Sequence, residues 1–223
     1  MTVTQSWRPA RSPGRRGDST ESSYMVVTPA ARRFVLWIDA VGGVLVYLDD
    51  QITIGQAGPG NHVDLAVQGD LSRRHAKLTR HGEGYVLTPL QRCTVGGRTL
   101  EGPATLTDGD EFALGASVRM RFRKPHALSV SARLESVSRH RTNPPVDAVV
   151  LMAESCVLGP SPDAHVVCRG WSSELVLFRR GEQLCCRAAS PFLLNGSSVK
   201  GLGVLAPGTR VVGEDFSFSV EHA

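Results

Sequence analysis

The sequence predicts an all-β protein made of two tandem β-sandwiches with short strands and loop-rich rims, preceded by a disordered tail. Glycine and proline are numerous and well scattered, with 23 and 13 residues, and no long helical period connects them. Short apolar runs lie between these turn residues, and one pattern of residues occurs twice along the chain. We therefore predict a tail over residues 1–30, a first sandwich over 31–126 and a second over 127–223.

The tail is predicted from its composition. Residues 1–30 are rich in serine, arginine, proline and threonine and hold few large apolar side chains, so they cannot bury enough surface to order the chain. The tail is either inert or a segment open to phosphorylation. It also supplies part of the net charge of +4, which is compatible with an acidic partner without requiring one.

The first sandwich is predicted from apolar runs that turn residues separate. Gly96-Gly97 and Asp108-Gly109 suit tight turns that need a positive φ. The last strand alternates apolar residues with arginines, which places the apolar side chains inward. The predicted strands are 34–38, 44–48, 52–54, 62–65, 76–80, 84–88 and 118–123.

A polar loop before the strand 76–80 carries the residue types that bind phosphate. Ser72 offers a hydroxyl, and Arg73 and Arg74 offer forked cationic donors. Loops that a rigid sheet carries are the usual place for binding residues. Taken alone, the stretch is also compatible with a solvated basic turn before a strand.

Four short motifs surround this loop in a fixed order. They are Ile54-Gly55, the S-x-x-H of Ser72 to His75, the V-x-G-x-x-L of Val95 to Leu100, and the L-x-x-G-D of Leu106 to Asp110. Over residues 34–124 this order resembles the forkhead-associated (FHA) domain, a small β-sandwich that typically binds phosphothreonine peptides. The S-x-x-H and L-x-x-G-D motifs at this spacing are fairly specific, whereas each alone is weak.

The resemblance implies which residues hold the phosphate. In the family these are an arginine straight after the Ile-Gly pair, the serine of S-x-x-H, the residue after that serine, and an asparagine loop before the hairpin. Here Gln56 occupies the arginine position, and the asparagine loop is shortened to residues 90–93. Arg74 or Arg92, if either points toward the same loops, would compensate for the missing arginine. The predicted phosphopeptide-binding residues are Ser72, Arg73, Arg74, Gln56 and Arg92.

Two further residues of this rim are predicted to be structural. His75 is expected to tie backbone groups together at the junction of loop and strand, as the family's histidine does, and not to act in catalysis. Gly55 is expected at a position where no Cβ is tolerated.

The second half of the chain repeats the first. Leu78 aligns with Leu177 at an offset of 177 − 78 = 99 residues, and several glycines and arginines coincide at that offset. The earlier strands align at 159 − 55 = 104 residues, where Gly55 meets Gly159. The difference of five residues falls in a loop, where a deletion is tolerated. This pattern predicts an internal duplication.

The second copy lacks the phosphate-binding residues. Pro160 stands at the arginine position, and Ser172-Ser173-Glu174 replaces the Arg-Arg-His triplet. Asn195 falls on a predicted Asn-Gly hairpin turn. Strands 132–137 and 146–152 are expected to open this sandwich, with almost no linker before them. We therefore predict a degenerate copy that contacts the first copy or a partner.

No enzyme, cofactor or metal is expected. The spacing from Cys93 to Arg98 is C-x₄-R, one residue short of the C-x₅-R loop of a cysteine phosphatase, and no Ser/His/Asp order with elbow glycines occurs. Cys185 and Cys186 are adjacent, so on a strand their side chains point to opposite sides and cannot hold one metal together.

Nucleic acid, membrane and export are also not expected. Arg119, Arg121 and Arg123 share one strand face, but no aromatic residues interleave with them as a base-stacking surface would need. The start is polar, and no apolar run approaches the length of a membrane span. The five cysteines form no C-x-x-C motif, so we expect a cytoplasmic protein with reduced thiols.

The resulting hypothesis is a non-catalytic adaptor that binds phosphothreonine peptides through the first sandwich. Its expected partner is a phosphorylated protein, with a Ser/Thr kinase pathway as one source. The alternative is a phosphate-independent scaffold or assembly domain in which both copies are degenerate.

Overall fold

The computed structural model describes residues 32–126 and 129–223, so the predicted tail lies outside the described residues. Every regular element in these two ranges is a β-strand, which confirms the all-β prediction. The same ranges contain no helix able to cross a membrane. The first eleven strands are β1 (Arg33–Ile38), β2 (Gly42–Tyr47), β3 (Gln51–Gln56), β4 (Leu65–Gln68), β5 (Ala76–His81), β6 (Gly84–Pro89), β7 (Cys93–Val95), β8 (Arg98–Thr99), β9 (Ala104–Leu106), β10 (Glu111–Leu114) and β11 (Val118–Arg123).

The second half repeats this series of strands. Seven strands from β5 onward recur at the offset of 99 residues, so that Ala76 of β5 corresponds to Leu175 and Val118 of β11 to Ser217. This spacing supports the inferred duplication. The remaining strands are β12 (Ala132–Ser136), β13 (Arg141–Asn143), β14 (Ala148–Leu151), β15 (Ser155–Gly159), β16 (Val166–Val167), β17 (Leu175–Arg180), β18 (Gln183–Ala188), β19 (Phe192–Leu194), β20 (Ser197–Val199), β21 (Leu202–Leu205), β22 (Arg210–Val212) and β23 (Ser217–His222).

The strands form three sheets. A central sheet of twelve strands has the order β20-β19-β22-β23-β1-β2-β14-β12-β11-β10-β7-β8. A six-stranded sheet has the order β13-β4-β3-β5-β6-β9, and a five-stranded sheet has the order β16-β15-β17-β18-β21. Leu36 of β1 belongs to the core under the five-stranded sheet, and its neighbour Val35 belongs to the core under the six-stranded sheet. Because successive strand residues point to opposite faces, the two smaller sheets cover opposite faces of the central sheet.

The opening hairpin of each half lies in the sandwich of the other half. β1 pairs with β23, with Leu36 opposite Val220, whereas β12 pairs with β11, with Glu135 opposite Arg121. The sequence placed β1 and β2 in the first sandwich and β12 and β14 in the second, and that placement is wrong. Strand pairing crosses the predicted boundary between residues 126 and 127 in both directions.

The exchange has a physical reason. β11 and β23 offer equivalent edges to two equivalent hairpins, so the apolar pattern suits either arrangement. Only eight residues separate Arg123 of β11 from Ala132 of β12, and consecutive strands with a short connection tend to pair as neighbours because loop closure is then inexpensive. Once β12 occupies the edge of β11, β1 is left to pair with β23.

The two hairpins meet at the centre of the twelve-stranded sheet. β2 and β14 pair in parallel, with Val44 opposite Ala148 and Tyr47 opposite Leu151. These partners are equivalent positions of the two copies, since both pairs are 104 residues apart. Leu45 and Tyr47 face one core and Val46 faces the other, which explains why these strands are almost continuously apolar.

An insertion in the second copy forms an additional edge strand. The loop between β12 and β14 is longer than the loop between β1 and β2, and it contains β13. β13 pairs antiparallel with β4, with Thr142 opposite Val67. This pairing covers an edge whose free backbone groups would otherwise be open to another chain.

A buried histidine connects the second half to the segment before β12. The Nδ1 atom of His165 accepts a hydrogen bond from the Val157 N–H at 3.0 Å. The Nε2 atom therefore carries the hydrogen and donates to Ser129 Oγ at 2.9 Å. Burial, together with the charges of the nearby His126 and Arg133, lowers the pKa of His165 to about 4.

The pKa of His165 predicts that acid destabilises the fold. The neutral imidazole stabilises the native state above pH ~6.5, and this contribution is lost as the pH falls toward the folded pKa of about 4. The free energy of unfolding should decrease by about 3 kcal/mol over this range, since unfolded histidine takes up a proton that the fold disfavours. Urea denaturation at several pH values measures the decrease, and it should be much smaller in His165→Gln. Equal pH dependence in both proteins would show that another group is responsible.

The exchanged hairpins predict a specific disulfide. Cα atoms of antiparallel partners lie about 4.5–5.5 Å apart, within the range that a disulfide spans. The double variant Arg121→Cys/Glu135→Cys should therefore cross-link on mild oxidation, because these residues are partners, and non-reducing electrophoresis detects the product. The control pair is Glu135→Cys/Val220→Cys. Leu36 lies opposite Val220, and Glu135 is the equivalent of Leu36 in the second half. Without the exchange, Glu135 would therefore lie opposite Val220. Cross-linking of the control pair instead would contradict the exchange.

Candidate functional site

The predicted binding residues lie on loops that meet at one end of the first sandwich. Gln56 ends β3, and its N–H donates to the Ser72 carbonyl at 3.1 Å. Arg73 and Arg74 follow Ser72 in the loop before β5. The Arg92 carbonyl, just before β7, accepts a hydrogen bond from the His75 ring at 3.0 Å. The structure thus brings all five predicted residues to a common rim.

His75 holds this rim together. The side chain is buried, and its Nδ1 atom accepts a hydrogen bond from the Ser72 N–H at 3.2 Å. The Nε2 atom therefore carries the hydrogen and donates to the Arg92 carbonyl. The backbone of His75 donates to the Ile54 carbonyl at 2.8 Å and accepts from the Leu90 N–H at 3.0 Å. Both ring nitrogens are engaged with backbone, so the ring braces the loops and is not placed as a general base.

Gly55 allows the loop of Arg73 to lie directly against β3. A Cβ at Gly55 would lie 1.9 Å from the Arg73 carbonyl oxygen and 3.2 Å from a Val63 methyl. The first distance is far below any contact that a real Cβ makes. The close approach, and with it the bond between the Gln56 N–H and the Ser72 carbonyl, therefore requires glycine.

Asn61 is a rim residue that sequence reasoning missed. Its Nδ2 group donates to the Gln56 carbonyl at 2.7 Å and to the Arg73 carbonyl at 2.8 Å. One amide thus ties the loop between β3 and β4 to the loop that carries Ser72. An asparagine in a glycine-rich loop is a weak signal for such bracing, because the Arg73 carbonyl belongs to a different loop whose approach the sequence does not indicate.

The side chains expected to contact phosphate face solvent. Gln56, Arg73, Arg74 and Arg92 are exposed, and Ser72 is partly exposed. Across residues 32–126 and 129–223, none of these arginines takes part in an ion pair. The rim therefore combines a hydroxyl, three unpaired guanidinium groups and a braced backbone, the groups that an anion with several acceptor oxygens requires.

The equivalent rim of the second half has different chemistry. Gly159 again allows close approach, but here the neighbour is Glu174, whose Cγ would lie 2.8 Å from an added Cβ. Pro160 is exposed at the position of Gln56. The Ser172 N–H donates to the Asp215 carboxylate, and hydrogen bonds from Ser172 hold the pKa of Asp215 below its usual value. Carboxylates thus occupy the rim where the first half has arginines.

Asn195 lies on the predicted hairpin turn. Asn195 and Gly196 connect β19 to β20 with φ values of 51° and 84°. The Asn195 Oδ1 atom accepts a hydrogen bond from the Arg210 N–H at 2.8 Å. The side chain therefore stabilises the turn and is not free to contact a ligand.

The cysteines have the environment of structural residues. All five are buried and unpaired thiols. Burial raises the pKa of Cys93 to about 11 and that of Cys156 to about 12, so neither is a thiolate nucleophile near neutral pH. Within the described ranges, no group of three or more histidine, cysteine, aspartate or glutamate residues is arranged to hold a metal ion.

Comparison with known proteins finds a family match over the part of the chain that contains the rim. The family model of the FHA domain matches residues 52–115. The mouse StAR-related lipid transfer protein 9 is 33% identical to the chain over 95 residues, which is 41% of this chain and 2% of that protein. The chain thus spans a small fraction of this relative's length.

Two solved structures are similar. The structure of the Rv0020c FHA domain has 25% sequence identity and a TM-score of 0.25, and the match covers 37% of this chain and 84% of that one. The N-terminal FHA domain from EssC, a component of the bacterial Type VII secretion apparatus, has 13% identity and a TM-score of 0.22. That match covers 84% of this chain and 92% of the other.

Gly55 of β3 and Gly58 of the loop that follows predict opposite results on substitution. Gly55→Ala should destabilise the fold by about 1–3 kcal/mol, because the new methyl group overlaps the Arg73 carbonyl and the loop must move. Gly58→Ala is the matched control, because an added Cβ there meets nothing within 4 Å. Its free energy of unfolding should stay within about 0.5 kcal/mol of wild type. Urea denaturation of both variants provides the measurement, and equal destabilisation would contradict the close contact.

Proposed function

The chain contains a forkhead-associated domain, and from this premise we propose that it is a non-catalytic interaction protein that binds phosphothreonine peptides through the rim of its first sandwich. FHA domains are generally modules that bind phosphorylated peptides. One observation carries the proposal: the Ser72 hydroxyl and three exposed arginines share a rim that His75 braces. The expected partner is a phosphorylated protein, and a Ser/Thr kinase pathway is its proposed source.

The chemistry of the rim suits a phosphate group. Phosphothreonine carries nearly two negative charges and three strong acceptor oxygens at neutral pH. Ser72 can donate one hydrogen bond, and Arg73 beside it can donate two in parallel. Because His75 and Asn61 already hold the loops by backbone contacts, binding need not order them, which lowers the entropic cost of association.

One departure from the family weakens the proposed site. Gln56 stands where the family has an arginine, and a neutral amide donates weaker hydrogen bonds to phosphate than a guanidinium does. Arg74 and Arg92 are exposed on the same rim and are the proposed source of compensating charge. We therefore propose modest affinity, with discrimination that depends on the phosphate.

A phosphate-independent scaffold is the second candidate. Two observations favour it: the rim of the second half is acidic, and both halves share one continuous sheet of twelve strands. In this case partners would contact the faces of the sandwiches and not the loop tips. The two candidates differ in whether the phosphate of a peptide contributes to binding.

The Ser72→Ala variant separates the two candidates. The full chain should bind members of a phosphothreonine peptide library and reject the same peptides without phosphate. Loss of the Ser72 hydroxyl should weaken binding to the selected phosphopeptides about tenfold to a hundredfold, since a hydrogen bond to a charged group contributes about 1.5–3 kcal/mol. Fluorescence anisotropy with labelled peptides measures the change.

Ser198→Ala is the matched control, because Ser198 is an exposed serine on β20 in the other half. Its affinity for the phosphopeptides should equal that of wild type. If phosphorylated and unphosphorylated peptides bind the wild type alike, the phosphopeptide function is wrong and the scaffold candidate takes its place.

Restoring the family's arginine should strengthen binding. Gln56 is exposed and ends β3 beside Ser72, so Gln56→Arg can be accommodated without displacing a packed side chain. The added charged donor should tighten phosphopeptide binding by about tenfold or more. Arg187→Gln, on β18 of the other half, controls for general charge effects by altering an exposed arginine. A tighter affinity for unphosphorylated peptides as well would indicate a nonspecific gain.

A further inference from the structure

A cleft lies between the rim of the second half and the open face of β11 and β12. Its volume is about 1300 Å³. The floor includes Val44, Ala148 and the paired residues Arg133 and Glu135, and one wall is the rim loop that contains Trp171. The cleft exists because the five-stranded sheet covers only part of this face of the central sheet, so that the rim loops and the uncovered strands form a corner.

The lining of the cleft has an excess of negative charge. Five carboxylates line it, and Glu135 is paired with Arg133. The other four are Asp39, Asp147, Glu214 and Asp215. In the described part of the chain, none of the four is in an ion pair.

The cations of the lining do not offset this charge. Arg133 is paired with Glu135, and Arg123 is paired with Asp108 at 3.0 Å. Arg169 is the remaining arginine of the lining. Among the described residues of the lining, four carboxylates and one arginine, Arg169, are therefore without an ion-pair partner.

Three of the carboxylates are held in place by hydrogen bonds. Asp147 accepts from the Gly43 N–H at 2.9 Å, Asp39 accepts from the Ser217 hydroxyl, and Asp215 accepts from the Ser172 N–H. Each bond engages one carboxylate oxygen and leaves the other available to a guanidinium. The cleft is therefore a pre-organised surface for a cationic segment.

The same chain contains a segment of matching charge. Arg8, Arg11, Arg15 and Arg16 lie within nine residues, and no acidic residue interrupts them. The four arginines equal in number the cleft carboxylates that have no ion-pair partner among residues 32–126 and 129–223. A guanidinium binds a carboxylate through two parallel hydrogen bonds, so this pairing is favourable in geometry as well as in charge.

The segment is long enough to reach the cleft. Asp39 follows directly after β1, and the six residues of β1 span about 20 Å from Arg33. The fifteen residues from 17 to 31 can extend over about 50 Å. Because the segment is tethered, its effective concentration near the cleft reaches the millimolar range, so that even weak individual contacts can hold it.

We propose that residues 8–16, the arginine segment, dock into this acidic cleft of the same chain. The docking site is formed by the rim of the second half together with Asp39 and Arg123 of the first half. It lies apart from the proposed phosphopeptide rim, and the proposal does not rest on the phosphopeptide function. It assigns a binding role to a half that has lost the residues for phosphate. The docked segment would cover the carboxylates that the fold leaves unpaired.

A spin label on the tail tests the proposal in the full chain. The variant Ser12→Cys provides one reactive thiol within the arginine segment, because the five native cysteines are buried. A spin label attached to this thiol broadens the nuclear magnetic resonance signals of nearby amides. The amides of cleft residues such as Gly170 and Glu214 should therefore lose most of their signal intensity. High salt should restore the signals, because the contacts are between exposed charges.

Two variants and a matched control decide the outcome. Glu214→Lys, and separately the exchange of all four arginines for glutamine, should restore the cleft signals. Glu214 is exposed and makes no hydrogen bond within the described ranges, so its substitution should leave the melting temperature unchanged. Glu182→Lys, an equally exposed acid on the turn between β17 and β18, should leave the broadening intact. Unbroadened cleft signals, or broadening that Glu214→Lys does not reduce, would overturn the proposal.

A mixed sample identifies which chain supplies the segment. Chains that carry the spin label but no ¹⁵N are mixed with chains that carry ¹⁵N but no spin label. Only the ¹⁵N chains are observed, so their signals broaden only if the segment of another chain binds them. The proposal expects no broadening in this mixture. Broadening as strong as in the singly labelled chain would show that a second copy supplies the segment, and docking within one chain would be wrong.

Discussion

The parallel pairing of β2 with β14 is the contact on which the architecture depends. It sets equivalent residues of the two copies side by side, Val44 with Ala148 and Tyr47 with Leu151, and it joins two sheets into one of twelve strands. Parallel strands at the centre of a sheet are stable only when both faces are covered, and the two smaller sheets cover opposite faces here. The hairpin of β1 and β2 therefore contributes side chains to both hydrophobic cores. Neither core is complete without residues from the other half of the chain.

In the rim of the first sandwich, side-chain contacts with backbone fix the loops that carry the proposed binding residues. The side chains of His75 and Asn61 form hydrogen bonds with neighbouring backbone groups, and Gly55 allows close approach of the backbone. Ser72 and the arginines face solvent. The side chains that would meet a ligand are thus separate from the side chains that fix the loops. Such a division allows the proposed binding residues to diverge from the family pattern, as at Gln56, without loss of the fold.

The two copies have kept the same framework with opposite charge at their rims. Gly55 and Gly159 both permit a loop to lie against the sheet, but the neighbouring loop carries arginines in one copy and Glu174 in the other. The exchange of hairpins adds to this difference, because it brings Asp39 of the first copy beside the rim of the second. An acidic cleft thus arises from residues of both copies, and neither copy alone would form it.

The sequence by itself determined the strand content and the FHA resemblance, and it predicted an internal duplication and five rim residues as candidates for phosphate binding. These follow from local information, namely apolar periodicity, turn glycines and short motifs, and the structure places all five predicted rim residues together. Only the tertiary structure decided which hairpin completes which sandwich, because two similar hairpins fit two equivalent strand edges equally well by pattern, and the short connection from Arg123 to Ala132 favoured one pairing. It also decided the role of Asn61 and the site of the acidic cleft. Both depend on how separate loops and strands approach one another, and periodicity carries no information about such contacts.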